Sequence, residues 1–66
     1  MLDELKGWLA KKQFMPFRIA LTDGSSYRVN SRFQIAIGKT QFMYCFPGSD
    51  RKVFIRADEM TSIRQA

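Results

Sequence analysis

Histidine is absent from this chain, and cysteine occurs once, at Cys45. Without imidazole the usual general base and the commonest metal ligand are missing. One thiol cannot form an internal disulfide, and no cluster of cysteines exists to hold zinc. Acidic side chains are few: 6 Asp and Glu stand against 11 Lys and Arg. No apolar run approaches the ~20 residues that cross a bilayer. Asp3, Glu4, Lys6 and Gly7 interrupt any signal-peptide core near the N-terminus. No dinucleotide fingerprint, Walker motif or other phosphate-cradling loop is present. These absences set the expectations: not an enzyme, no cofactor, no metal, no small-molecule substrate, no membrane, and a reducing, cytoplasmic setting.

What remains is a short basic chain. Its 66 residues make one domain, 1–66. A chain of this length buries only about 60% of its unfolded surface. Small domains usually compensate with disulfides, metals or partner subunits. That leaves self-association or unusually good packing, and a homo-oligomer is the expectation. The formal charge is +5, and it is unevenly placed: between Leu5 and Ala57 ten basic residues meet two acidic ones, Asp23 and Asp50. A basic surface attracts nucleic acid or anionic membranes without specifying either.

Residues 2–13 have helical spacing. Leu2, Leu5 and Leu9 share a face with Trp8 beside them, Asp3 is placed to cap, and Lys11 and Lys12 sit at the end that favours cations. Pro16 stops the helix. Strands are predicted at about 17–22, 26–37, 40–46, 52–56 and 61–64. Phe17, Ile19 and Leu21 alternate with Arg18, Ala20 and Thr22. Asp23-Gly24-Ser25 reads as a three-residue hairpin loop, which makes Arg18 a diagonal neighbour of Arg28. Ser31 and Arg32 read as a bend within one long strand, with Phe33, Ile35 and Ile37 continuing its inner face. Gly38-Lys39 fits a two-residue turn that pairs Ile37 with Thr40. Pro47 to Asp50 is a turn, and Ala57 to Met60 reads as one short helical turn. The fold class is therefore mainly β: an N-terminal α-helix, then a strongly bent five-stranded antiparallel sheet. Its outer face is part-apolar (Ala20, Ala36, Met43, Cys45, Phe54). Such a sheet bends onto itself as a small barrel or is covered by another subunit.

Chemistry-bearing candidates are few. Asp58 and Glu59 are adjacent, but neighbours in a helical turn diverge, so solvated or capping acids are the expectation. Cys45 lies mid-strand with no histidine to activate it and reads as packed and inert. Basic and aromatic residues interleave, as in single-strand binders that combine phosphate contacts with base stacking. The candidate nucleic-acid residues are Arg18, Arg28, Arg32, Arg51, Lys52 and Arg56. Most of the aromatics read as core instead, Phe54 being the main exception. Met43 and Phe54 are the candidate oligomer-interface residues.

The layout resembles a known family. A basic N-terminal helix runs into Phe17-Arg-Ile-Ala-Leu-Thr-Asp-Gly24, and the chain ends on Val53-Phe-Ile-Arg-Ala-Asp-Glu-Met-Thr-Ser-Ile63. This resembles the Sm-like fold, in particular the bacterial RNA chaperone family Hfq. The resemblance implies a small Sm-like or SH3-like barrel and a ring built by edge-strand pairing. The family's RNA-contacting glutamine and lysine-histidine motifs have no match here, so no RNA-binding residue carries over. The stretch Pro16 to Gly24 also resembles short bacterial proteins without an assigned function, which suggests bacterial origin. The expected function is an oligomeric basic module binding nucleic acid, RNA favoured. The alternative is a protein-interaction or assembly module with no nucleic-acid role, using Met43, Phe54 and the edge of the final strand.

Overall fold

Leucines at helical spacing form helix α1 over Leu2–Leu9, in a computed structural model that describes residues Met1–Ala66. Asp3 and Glu4 fall in its first turn, where the helix dipole favours acids. The N-cap position falls on Met1, without a side-chain bond, and not on Asp3. The helix ends earlier than expected, so Lys11 and Lys12 lie beyond it. There the chain is held onto the sheet. The Phe14 ring centre lies 5.9 Å from that of Phe17, and the Lys11 carbonyl accepts a hydrogen bond from Arg32 Nη2 at 3.1 Å. Leu5 is fully buried, and Trp8 packs 5.3 Å from Phe17. The helix is thus secured by docking, which a short helix needs.

Six strands follow: β1 Phe17–Leu21, β2 Ser26–Val29, β3 Ile35–Ile37, β4 Gln41–Cys45, β5 Lys52–Arg56 and β6 Met60–Gln65. They form two separate three-stranded antiparallel sheets, ordered β2-β1-β6 and β3-β4-β5, and neither closes into a barrel. This overturns the expected five-stranded bent sheet and small barrel. The cause lies between Asn30 and Gln34. Gln34 Oε1 accepts the N–H of Asn30 at 2.7 Å and of Ser31 at 3.0 Å, while Ser31 Oγ accepts the N–H of Phe33 at 3.2 Å. This capping box closes a short 3-10 turn at Arg32–Gln34. It occupies donors that a continuous strand would offer to a neighbour. The side chain of Gln34 is itself buried, and its Nε2 donates to the Tyr44 hydroxyl at 3.3 Å and the Cys45 carbonyl at 3.2 Å. The segment 26–37 is therefore two strands in two sheets. Phe33, expected inside, is 87% exposed.

Both predicted hairpin registers shift. The Gly24 N–H donates to the Leu21 carbonyl at 3.1 Å, and the Leu21 N–H donates to Ser25 at 2.8 Å. Gly24 has φ +89°. This is a tight turn followed by a left-handed glycine, with Thr22-Asp23-Gly24 as the loop. Arg18 consequently faces Arg28 directly. In the β3–β4 hairpin Ile37 faces Phe42, not Thr40, and Gly38 N–H donates to the Gln41 carbonyl at 2.8 Å. The short helical turn at Ala57–Glu59 joins β5 to β6 as expected.

Phe17, Ile19, Leu21, Val29 and Ile63 of one sheet meet Phe42, Tyr44 and Ile55 of the other in a single buried cluster with Leu5 and Met60. The inner faces of the two sheets share this core, so their outer faces point apart. Those outer faces hold the functional candidates.

Candidate nucleic-acid interface

Strand alternation puts Arg18, Arg28 and Arg64 on the outer face of the β2-β1-β6 sheet. The register then aligns them: Arg18 pairs with Arg28 on one side and with Arg64 on the other. Directly opposed residues have Cβ atoms about 4.5–5.5 Å apart, and like charges so placed are destabilising. No carboxylate relieves them. The molecule's one ion pair is Arg56 to Asp58, at 3.0 Å and elsewhere. Arg28 Nε donates at 2.7 Å to the neutral Asn30 side chain. The row therefore retains its full positive charge.

The next row on the same face is made of small residues: Ala20 faces Ser26 on one side and Ser62 on the other. The step from long arginines to short side chains leaves a groove of about 360 Å³, lined by Arg18, Ala20, Ser26, Ser62, Arg64 and Gln65. Guanidinium forks can take a phosphate bidentately, and serine hydroxyls can donate to it. Arg64 was missing from the predicted set. Ile63 is buried, so alternation turns Arg64 outward, and the pairing of β6 with β1 brings it to Arg18.

The six predicted cations do not form one surface. Arg18 and Arg28 belong to the row just described. Arg32 is half-buried, bonded to the Lys11 carbonyl and 5.6 Å from the Phe14 ring centre. It is committed to anchoring the segment that follows the helix. Arg51 lies 4.8 Å over the Phe46 ring beside the β4–β5 turn. Lys52 and Arg56 lie on the outer face of the other sheet, on either side of Phe54. Asp58 holds the Arg56 guanidinium with two hydrogen bonds and raises its already high pKa. The two predicted interface residues are neighbours there: Met43 faces Phe54 directly, and Ala36 faces Met43.

The remaining candidates are tied into the frame. Glu59 accepts the Arg56 main-chain N–H at 2.9 Å, and Asp58 serves Arg56. Cys45 is half-buried on β4, facing Lys52. No group of three or more Cys, Asp or Glu is placed to hold a metal ion. No helix is long and apolar enough to cross a membrane. Compared with family models, with curated proteins and with solved structures, the chain finds no match in any of the three.

Proposed function

We propose that this chain is a small basic module that binds nucleic acid, RNA favoured, through the outer face of the β2-β1-β6 sheet. The observation that carries the reading is the row Arg28–Arg18–Arg64, opposed across three strands without a carboxylate. A fold tolerates such repulsion at a cost, and an anionic ligand removes it. RNA is favoured because the arginines stand on an open sheet face, the platform that single-stranded RNA binders use. The one helix, α1, docks on the core through Leu5 and does not project toward a DNA groove. No catalytic step belongs to this reading. Asp58 and Glu59, the nearest thing to a carboxylate pair, are both engaged by Arg56.

Homo-oligomerisation is part of the proposal. The outer edges of β2 and β6, and of β3 and β5, lack strand neighbours within the chain. Free edges offer main-chain donors and acceptors to a second copy. Light scattering on a sizing column tests this through the solution mass.

Titration of a labelled single-stranded RNA by fluorescence anisotropy at low salt tests the binding. Saturable binding that weakens steeply with added salt is expected. No binding at low salt overturns the proposal. The rival reading, an assembly module without a nucleic-acid role, draws on the apolar row Ala36–Met43–Phe54. It takes over if RNA does not bind while Phe54→Asp lowers the mass in solution.

A further inference from the structure

We propose that the outer face of the β3-β4-β5 sheet seats one unpaired base of single-stranded RNA, stacked on Phe54, with a flanking phosphate on Lys52. This rests on the nucleic-acid reading above and adds a second contact face, with a preference for single strands.

Phe54 is 66% exposed in the middle of β5. Period-two alternation puts Lys52 and Arg56 on the same face, one on each side of it. Arg56 is held by Asp58, and the aromatic ring beside the unpaired Lys52 supplies both contacts that a single strand offers: a face for a base and charge for the backbone. Next to Phe54 is a shallow depression of about 250 Å³ lined by Ala36, Ile37, Gly38, Gln41, Phe42, Met43 and Phe54. Pockets for drug-sized ligands run roughly 300–1,000 Å³, so this one suits a single ring system. Gly38 permits the close approach of the β3–β4 hairpin at its rim: a Cβ there would lie 3.1 Å from the Gln41 carbonyl. The exposed Gln41 faces Arg56 across the strands. Its amide both donates and accepts, which matches the edge of an adenine.

Charge decides between this occupant and a second copy of the chain. In a two-fold interface the same patch meets itself. Arg56 is already paired with Asp58, so Lys52 is the uncompensated cation of the face, and self-docking would bring two such lysines into one interface. The one nearby carboxylate that bonds a cation on this face, Asp58, is already held by Arg56 at 3.0 Å. An anionic strand meets no such repulsion.

The test uses the whole chain with two labelled probes, oligoadenylate and an RNA duplex, in anisotropy titrations. Phe54→Leu keeps an apolar side chain but loses the aromatic face. It should weaken oligoadenylate binding about tenfold, the scale of one stacked base. Duplex binding should stay unchanged, because paired bases do not unstack onto a protein ring. Phe54→Trp should retain or improve oligoadenylate binding. The inference is overturned if Phe54→Leu leaves oligoadenylate binding unchanged, weakens both probes alike, or lowers the solution mass, which would assign the face to a second copy. If the unaltered chain binds neither RNA, the nucleic-acid reading itself fails. If it binds both and Phe54→Leu changes nothing, only this base seat fails.

Discussion

The Tyr44 hydroxyl donates to the main-chain carbonyl of Arg28 at 2.7 Å, bonding β4 of one sheet to β2 of the other. The same hydroxyl accepts from Gln34 Nε2 at 3.3 Å. Two sheets without a shared strand are thus joined by a polar tie at the edge of their common core. The tie ends on the residue that also carries one of the three aligned guanidiniums. Framework and candidate interface are coupled at Arg28.

Tyr44→Phe keeps the ring and deletes the tie. It leaves the Arg28 carbonyl and the Gln34 amide each short of a partner, at a cost of about 1–3 kcal/mol. Chemical denaturation measures it. Burial also raises the Tyr44 pKa above its ordinary 10.0. A pKa raised in the folded state gives stability that is complete below 10.0 and lost as pH rises through the folded value. The unaltered chain should therefore weaken above pH 10.0 by a component that Tyr44→Phe lacks.

Gln34 is the buried polar residue of the molecule. Its amide makes four hydrogen bonds, to Asn30, Ser31, Tyr44 and Cys45. Gln34→Ala should cost about 2–3 kcal/mol, since it strands two backbone donors at the 3-10 turn. Gln41→Ala, at an exposed glutamine, should stay within about 0.5 kcal/mol. Paired urea melts compare the two, and equal losses would show that the turn does not depend on Gln34.

Arg18→Gln should move stability and binding in opposite directions. Arg18 is the middle of the row, so its removal relieves two opposed like-charge pairs, worth about 0.2–1 kcal/mol each. The gain should shrink as salt screens the exposed charges. RNA affinity should fall with the same substitution. A variant that loses stability as well as affinity would mean that Arg18 serves packing.

The strands β1, β4 and β5 were legible because alternation is a local signal. Phe17, Ile19 and Leu21 face in and Arg18 faces out, as the period of two requires. The break in segment 26–37 left a local signal that the bend reading passed over. Ser31-Arg-Phe-Gln34 has the serine-x-x-glutamine spacing of a capping box. Polarity alone reads as a bend, and that reading places Phe33 inside. The first hairpin was off by one loop residue, because Asp23-Gly24-Ser25 and Thr22-Asp23-Gly24 are equally plausible as strings. Only the positive φ of Gly24 and its hydrogen bonds separate them. That displacement decides whether Arg18 faces Arg28 or stands diagonal to it. Arg64 carries no such local marker. Its place beside Arg18 comes from pairing β6 with β1 across most of the chain, and no local pattern encodes that register. On the other sheet, Phe54 reads as outward from the alternation with Val53 and Ile55, but its place beside Met43 comes only with the β4–β5 register.

The salt dependence of RNA binding tests the central claim most directly. Each phosphate contact on a single strand contributes about 0.7 to the slope of log K against log salt. The slope is measured for the unaltered chain and for the variant combining Arg18→Gln, Arg28→Gln and Arg64→Gln, with one single-stranded RNA throughout. A steep slope for the unaltered chain, reduced by about 2 in the variant, is the predicted result. The same slope in both proteins would contradict the account, because the aligned arginines would then hold no phosphate.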